Sequence, residues 1–578
     1  MRKFDQQQIE HILKKRFFIA QSAHIYGGVS GLYDFGPPGL SLKANMLSLW
    51  RKHFVVEEDM LEIDTTAMLP YSVLNASGHV DKFCDILVFD EESGECFRAD
   101  HLISAVLEKM EQTDEVANDI RRVDCMTCEE VDATIEKYNI RGVSGNKLRQ
   151  SQQFNLMFGT KIGYKGDQWV FLRPETAQGQ FLNFKKLYEY NNESLPFASA
   201  SIGRAYRNEI SPRGGLIRVR EFEQAEIEHF VFEDEKNHPK FSSVGDLVLR
   251  LLYGDKDVEM ALKDAVRLGI VFNETIGYFI GRTALFLKEL GVDMSMVRFR
   301  QHKKDEMAHY AKDCWDAEIY TSHGWVECVG IADRSCYDLK CHEEMSGISL
   351  RSKRRLAEPR EVDEWVLKLN KKEWGPKLRE KFGELEEIVL SASQEFIEKN
   401  LACFEGRSYV KFECDGHDVD VECLKSKRMV HVENVVPDVV EPSFGVGRIL
   451  YALIEHSFYS REDMKPVFRF KSMIAPIQCA IGYLIYSDEY NEHIQRIKRY
   501  LSEKGFVVQV NERSCSIGRK YASCDELGIP FFITFDPGFA SDRMVTIRER
   551  DSMRQVRVHV DDCHLIVEGY INGKSKWD

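Results

Sequence analysis

GRAYRNEISPRGGLIRVREFEQAEIE, residues 203–228, sets arginines and glutamates on both sides of a short Pro-Gly segment. Side chains along a strand alternate faces with period two. Arg218, Arg220, Phe222, Gln224 and Glu226 share one parity, and Arg207 and Glu209 share one on the preceding stretch. The opposite face is only partly apolar, because Ile217, Val219 and Ala225 share it with Glu221 and Glu223. SPRGG, residues 211–215, supplies turn residues. The pattern predicts an antiparallel hairpin with arginines, carboxylates and one aromatic ring on a single face. A solvated hairpin with cross-strand ion pairs has the same pattern. The competing reading is a site for a ligand that carries both signs of charge.

The residue types favour a nucleoside triphosphate beside an amino-containing acid. Arginine holds phosphate bidentately. Phe222 offers a flat ring to a base, Glu209 an acceptor for an amino group, and Glu226 a carboxylate for an ammonium. EPSFGVGR, residues 441–448, adds a Gly445/Gly447 turn and places Arg448 at the start of a helical run, ILYALIEH. A helix start with a nearby arginine suits phosphate. There is no GxxxxGK[ST] and no GxGxxG after a strand, so the site is neither a P-loop nor a dinucleotide fold. LRPETAQGQFLNF, residues 172–184, brings the Glu175 carboxylate past Pro174, with small Ala177 and Gly179 behind it. A helix start capped by Thr176 explains that segment equally well. GWVECVGIADRS, residues 324–335, carries Glu327 on a strand-like alternation.

A chain of 578 residues exceeds one ordinary core, so at least two domains are expected. With 43% hydrophobic and 30% charged residues it falls in the soluble globular class, and no apolar run is long enough to span a bilayer. The N-terminal MRKFDQQQIEHILKKRFF lacks an apolar core, and Asp5 and Glu10 argue against a transit peptide. A cytoplasmic location is the expectation. The 15 cysteines are then read as thiols. Cys125 and Cys128 form a CxxC without a second pair nearby, which disfavours zinc, and Cys336, Cys341 and His342 read as structural. A net charge of −15 argues against nonspecific nucleic-acid binding. The deficit is uneven: residues 471–578 hold 15 basic and 15 acidic residues, and residues 1–470 hold 63 and 78. Local basic patches therefore leave a nucleic-acid partner open.

Residues 39–55 place Leu42, Met46, Leu49 and Phe54 at helical spacing, and an extended MLEIDTTAMLP follows to Pro70. Polar, charge-rich stretches at about 91–165 and 343–430 read as insertions with solvated helix faces. A third insertion is set at about 231–270. From residue 471 the chain alternates strand, helix, strand, helix and strand, then a hairpin around Asp551-Ser552. That order predicts a small α/β domain with a mostly parallel sheet over 471–578.

Taken together, these segments resemble the class II aminoacyl-tRNA synthetases, and most closely the dimeric eukaryotic and archaeal type of glycyl-tRNA synthetase. The helix–strand–Pro70 segment is similar to motif 1, YRNEISPRGGLIRVREF to motif 2 and EPSFGVGR to motif 3. RPETAQG, YGGVSGLYDFGPPG, GHVDKF, RFRQHKKDEMAHYAKDCWDAE, ADRSCYDL and RERDSMRQ are also similar to segments of that family, so the likeness runs over nearly the whole chain. Arg204, Tyr206 and Gln180 depart from the usual residues, and none is an implied ligand.

The resemblance implies an α+β fold: an antiparallel sheet flanked by helices over residues 1–470, with insertions, and a C-terminal α/β anticodon-binding domain over 471–578. It implies ATP-dependent attachment of glycine to tRNA(Gly) through a glycyl-adenylate, by a homodimer, with Mg²⁺ accompanying ATP. Arg207 would meet the α-phosphate and Arg448 the γ-phosphate, as the two catalytic residues. Asn208, Glu209, Arg218, Val219, Phe222, Glu327 and Cys328 would complete the ATP site, with Glu327 facing the metal. Glu175, Glu226, Glu441, Pro442 and Ser443 would form the glycine pocket. Two other readings compete: a non-catalytic relative kept as a binding module, and a synthetase for proline, threonine, serine or histidine. Retention of Arg207 and Arg448 disfavours the first, and RPETAQG with Glu226 and EPSFG disfavours the second.

Overall fold

Nine strands form the sheet that carries the cleft: β1 (Leu61–Glu62), β2 (Phe197–Tyr206), β3 (Glu221–Val231), β4 (Val248–Tyr253), β5 (Lys256–Ala261), β6 (Val297–Gln301), β7 (Asp313–Thr321), β8 (Gly324–Ser335) and β9 (Asp438–Gly445). The computed structural model describes residues 4–577 apart from 112, 124, 125, 305, 308–310, 405, 406, 463, 464 and 576. The spatial order is β5-β4-β6-β7-β8-β9-β3-β2-β1. β1 runs parallel to β2 and β4 parallel to β6, and the other neighbours are antiparallel.

Helices cover both faces of this sheet: α1 (Pro37–Trp50), α3 (Glu274–Leu290) and α5 (Val446–Ser457) lie on one, and α2 (Ala177–Leu182) and α4 (Tyr337–Ser346) lie on the other, where Phe181 and Leu339 pack with Phe230 and Val439. α1 starts on Pro37 and Pro38, whose missing N–H groups cost nothing in a first turn. It continues to Val56 in wider turns that bury Phe54 and Val55. Trp50, Phe54 and Phe286 all meet Phe444 of β9, with ring centroids 5.0–5.8 Å apart. Phe444 therefore faces α1 and α3, and the opposite parity of β9, Glu441 and Ser443, faces the cleft. Asn273 caps α3 by accepting from the Ile276 N–H, and Gly291 ends it in the left-handed region.

The predicted charged hairpin differs in extent. β2 and β3 pair as far as Tyr206↔Glu221, and the Arg207 N–H to Arg220 O bond of 2.9 Å continues the pairing one step. Beyond it the chain forms a loop with an isolated Arg213↔Arg218 bridge. Arg207, Glu209, Arg218 and Arg220 thus stand on a loop instead of on strands. Pro212 cannot donate to a ladder, and Gly214 and Gly215 take φ of +70° and +61°.

Residues 351–435 form a separate compact unit. Its sheet holds the long strands Ser352–Lys368 and His417–Val435, followed by Arg407–Cys414 and Leu401–Phe404. The charge run RSKRRLAEPREVDEW, expected on a helix face, is strand here. Its continuation alternates so that Trp365 and Leu367 pack toward Val410 and Val419, and the register slips between Arg355 and Arg360, around Pro359. Within 91–165, short helices such as Ala99–Leu107 and Cys128–Lys137 lie beside the three-stranded sheet of Cys84–Phe89, Cys96–Arg98 and Gln152–Asn155. Cys128 opens one of those helices, and Cys125 lies outside the described residues.

The C-terminal sheet comprises β10 (Cys479–Tyr483), β11 (Val508–Asn511), β12 (Phe531–Phe535), β13 (Met544–Glu549) and β14 (Gln555–His559), ordered β11-β10-β12-β13-β14. β10 is parallel to β11 and β12, and β13 is antiparallel to β12 and β14. The sheet is mixed, not mostly parallel: helical crossovers join the first three strands, whereas a tight turn joins the last two. Among the described residues, no helix is long and apolar enough to cross a membrane.

Candidate active site

The cleft opens between the 207–220 loop and the parity of β3, β8 and β9 that faces away from α1, α3 and α5, and has a volume of about 270 Å³. Two guanidinium groups line it. Arg207 donates from Nε to the Pro174 carbonyl at 3.2 Å, and its guanidinium lies 5.3 Å from the ring centroids of both Phe83 and Phe222. Arg448, in the first turn of α5, donates from Nε to the Ile217 carbonyl at 3.0 Å and from Nη1 to the Glu327 carbonyl at 2.9 Å. These carbonyl anchors aim both side chains, and the charge of Arg448 is met in part by the Glu327 carboxylate. A Cβ on Gly445 would come within 3.3 Å of the Cys328 carbonyl, so glycine permits the close passage of β9 into α5. The Glu327 carboxylate is half-exposed and lies 3.5 Å from Arg448. A register shift at Ala317/Glu318 pairs Glu327 with Glu318 and turns both Glu327 and Cys328 to the cleft.

Its inner end is closed by carboxyl groups. Glu226 is buried and accepts from Thr176 N at 2.8 Å, Ser443 Oγ at 2.6 Å and Gln224 Nε2 at 2.9 Å, and also from Thr176 Oγ1. Burial, and then Glu175, push its carboxyl up, against the pull of Ser443 and Thr176. Glu175 accepts from Gln178 Nε2 at 2.9 Å and lies 3.6 Å from both Arg334 and His79. Burial would raise it, but Arg334 and His79 outweigh burial and hold it well below the usual carboxylate range. Arg334 is itself buried, donates to both oxygens of Asp338 at 2.9 and 3.1 Å, and bonds Glu441. Burial, opposed by Arg334 and reinforced by Glu226 and Glu175, pushes Glu441 up to about 8.

Of the residues singled out from sequence, Glu175, Arg207, Glu209, Arg218, Val219, Phe222, Glu226, Glu327, Cys328, Glu441, Ser443 and Arg448 line this one cleft. Asn208 and Pro442 do not: the Asn208 N–H bonds the Leu156 carbonyl at 2.7 Å, and Pro442 has the parity of Phe444. Sequence reading passed over Arg334, Asp338, Gln178 and Glu228. ADRSCYDL contains the first two, and the period-two spacing of Glu226 and Glu228 was the signal for the last. It also passed over His302, Cys314 and Asp316, whose ligand atoms lie within 4.8 Å of one another at the cleft wall. Asp316 is already engaged there by His302 at 2.7 Å and Arg300 at 3.1 Å.

An antiparallel sheet that presents one arginine on the loop between two of its strands, and another where a third strand turns into a helix, is the core of a class II aminoacyl-tRNA synthetase. The family model of the tRNA synthetase class II core domain (G, H, P, S and T) matches residues 161–252, and that of the anticodon binding domain matches residues 471–568. The glycine–tRNA ligase of Encephalitozoon cuniculi is 71% identical over 100% of both chains. A putative glycine–tRNA ligase of Schizosaccharomyces pombe is 43% identical over 100% of this chain and 96% of its own. The chain belongs to the glycine–tRNA ligase family. Giardia lamblia prolyl-tRNA synthetase, solved with prolyl-adenylate, shares the fold with a TM-score of 0.52 at 12% identity, covering 98% of this chain and 79% of that one.

Proposed function

We propose that this protein attaches glycine to tRNA(Gly) at the expense of ATP, through a glycyl-adenylate. The observation that carries the reading is the cleft itself: two anchored guanidinium groups and a closed carboxyl pocket line one cavity, in a chain of this family. The glycine carboxylate attacks the α-phosphorus, and pyrophosphate leaves. A terminal ribose hydroxyl of the tRNA then attacks the glycyl carbonyl, and AMP leaves. Positioning and charge stabilisation carry both steps. Arg207 holds the α-phosphate and Arg448 the γ-phosphate. Phe222, stacked with Arg207, supports the adenine, and Glu209, Arg218, Val219 and Cys328 complete the nucleotide site, with Asn208 turned out of it.

Mg²⁺ favours carboxylate oxygen. Glu327 suits it, because its carboxylate is half-exposed in the cleft and its nearest charged partner is Arg448 at 3.5 Å. When bound, the ion would neutralise phosphate charge. Glu175, Glu226, Glu441 and Ser443, with the Pro442 backbone between the last two, form the glycine pocket. They grip an ammonium and leave little room for a Cβ, and such steric exclusion of larger substrates is severe. Residues 1–470 are the catalytic domain and 471–578 the anticodon-binding domain of a cytoplasmic homodimer. The test is exchange of labelled pyrophosphate into ATP with each of the twenty amino acids, without tRNA. Exchange with glycine alone is expected. Exchange with another amino acid would overturn the pocket, and exchange with none would overturn the activation step.

A further inference from the structure

Five carboxyl groups meet at the inner end of the cleft, and the structure offers them too little positive charge. Glu226 and Glu228 come from β3, Glu441 from β9, Asp338 from α4, and Glu175 from the turn before α2. The guanidinium groups facing them are Arg334 of β8 and Arg173. Arg334 is divided among Asp338, Glu441 and, at 3.6 Å, Glu175. Arg173 spends its donors on the Arg204 carbonyl at 2.8 Å and on the carbonyl and hydroxyl of Thr65, both at 2.9 Å. Of the imidazoles, His79 lies 3.6 Å from Glu175, and His342 bonds Gln178 Oε1 at 2.8 Å. Burial pushes His342 down, toward its neutral form. The remaining neighbours carry no charge: Ser199 and Ser201 on β2, Gln178 and Gln180 on α2, and, across Ala332, the Cys314 thiol of β7, which burial and the nearby carboxylates keep protonated.

Carboxylates crowded in a dry site cannot all ionise, so some keep their protons. Glu228 is completely buried, and neither of its oxygens has a hydrogen-bond partner. That is the environment of a neutral acid, and burial with Glu441 beside it raises its carboxyl well above the usual range. Glu441 lines the cleft, where a ligand can reach it, and so do Glu226 and Glu175, but Glu226 accepts from Thr176, Gln224 and Ser443 and Glu175 from Gln178, donors that favour their ionised forms. The cation of Glu441, Arg334, is shared with Asp338.

We propose that the amino acid's ammonium group enters this site in exchange for a proton, which leaves Glu441 for solvent. The inference rests on the glycine reading of the pocket. The O–H bond of the Glu441 carboxyl breaks, its electron pair stays on the carboxylate, and the ammonium keeps all three of its protons. Glu228 remains neutral behind it. The bound ammonium lowers the carboxyl's affinity for protons, so the free enzyme holds a proton that the complex lacks. Amino-acid affinity therefore rises with pH, by up to about tenfold per unit, and levels off as the free carboxyl itself ionises.

The test is the KM for glycine in pyrophosphate exchange between pH 6 and 8.5, with the KM for ATP followed in parallel. Expected is a fall of about tenfold in the glycine KM between pH 6 and 7, with kcat changing less than about twofold. Glu441→Gln should raise the KM and flatten its pH profile. A glycine KM independent of pH in active enzyme, or an unaltered slope in Glu441→Gln, would overturn the proposal. Should that variant be inactive or unfolded, heats of glycine binding to the unsubstituted protein in phosphate and in Tris decide the matter. Heats that differ with buffer ionisation enthalpy support proton release, and equal heats refute it. Absence of glycine-dependent exchange at every pH would overturn the glycine reading, and this inference with it.

Discussion

Arg207 and Gly330 show what single residues contribute to the cleft. Arg207 spends one donor on the Pro174 carbonyl and rests on two rings, so its remaining N–H groups are free to meet a phosphate. Arg207→Gln keeps a polar side chain and removes the charge and the fork. Glycine-dependent exchange should fall by about 10²–10³ in kcat, the scale for losing one aimed donor, with thermal stability unchanged. An unchanged rate would remove Arg207 from the reaction. Gly330 lies on β8 between Asp316 and Ser443, and a Cβ built there meets no atom within 4 Å. Gly330→Val should therefore fold normally and project into the cleft. The expected result is a rise of at least about tenfold in KM for glycine or ATP with an unaltered melting temperature. A variant with normal KM values would show that neither substrate passes over β8.

Among elements, the junction of β8 and β9 depends on a buried lysine in the segment after β3. Lys236 Nζ donates to Asp333 at 2.6 and 2.8 Å and to Asp438 at 2.7 Å, fixing the end of β8 beside the start of β9. Lys236→Met should cost about 3–5 kcal/mol, because it strands carboxylates inside the protein. Burial pushes Asp438 up, but Lys236 and Lys312 outweigh it and hold the group below the usual aspartate range. Its contribution is present above the ordinary aspartate pKa and is lost as pH falls through the depressed value. Chemical denaturation should therefore show a large stability gap between variant and parent at pH 7 that narrows below about pH 4. A gap that widens on acidification would contradict the ion-pair account. These elements differ in how far the sequence reveals them. The parity of Gln224, Glu226 and Glu228 marks the cleft face of β3 directly. The end of β2 is hidden, because the 207–220 loop is held from elsewhere: Arg220 bonds the Ser30 carbonyl at 2.9 Å, and Pro212 packs on Gly31. RSKRRLAEPREVDEW misleads in the same way, since its strand pairing comes from residues 417–435. Arg334 escapes notice because an arginine within a strand becomes conspicuous only once Asp338, Glu441 and Glu175 are known to surround it.

At the scale of the whole molecule, tRNA charging needs the cleft and the anticodon-binding module at a fixed separation, although activating glycine needs only the cleft. The module is tied to the rest of the chain by arginines, of which Arg550 is buried. Arg550 donates to the Gly528 carbonyl at 2.8 Å and to the Phe470 carbonyl at 2.9 Å, joining the α6–β12 connection, where α6 is Ile517–Asp525, to the segment that leads into the module. Arg461 bonds Asp525 at 2.6 Å and the Arg550 carbonyl at 2.6 Å, and Arg16 reaches Glu526 at 2.7 Å. Residues 471–578 carry balanced charge, so no net attraction to the acidic remainder substitutes for these bonds. Arg550→Ala leaves two buried carbonyls unpaired, at about 1–3 kcal/mol each, and loosens the joint without touching the cleft. Glycine-dependent pyrophosphate exchange should stay within about twofold of the parent, because no cleft residue moves. Charging of tRNA should fall by at least about tenfold, since orientation lost between two sites is lost rate. Equal losses in both assays would mean that Arg550 supports the entire fold and not the coupling between the two sites. Equal retention would mean that the remaining ties through Arg16 and Arg461 hold the module in register without it.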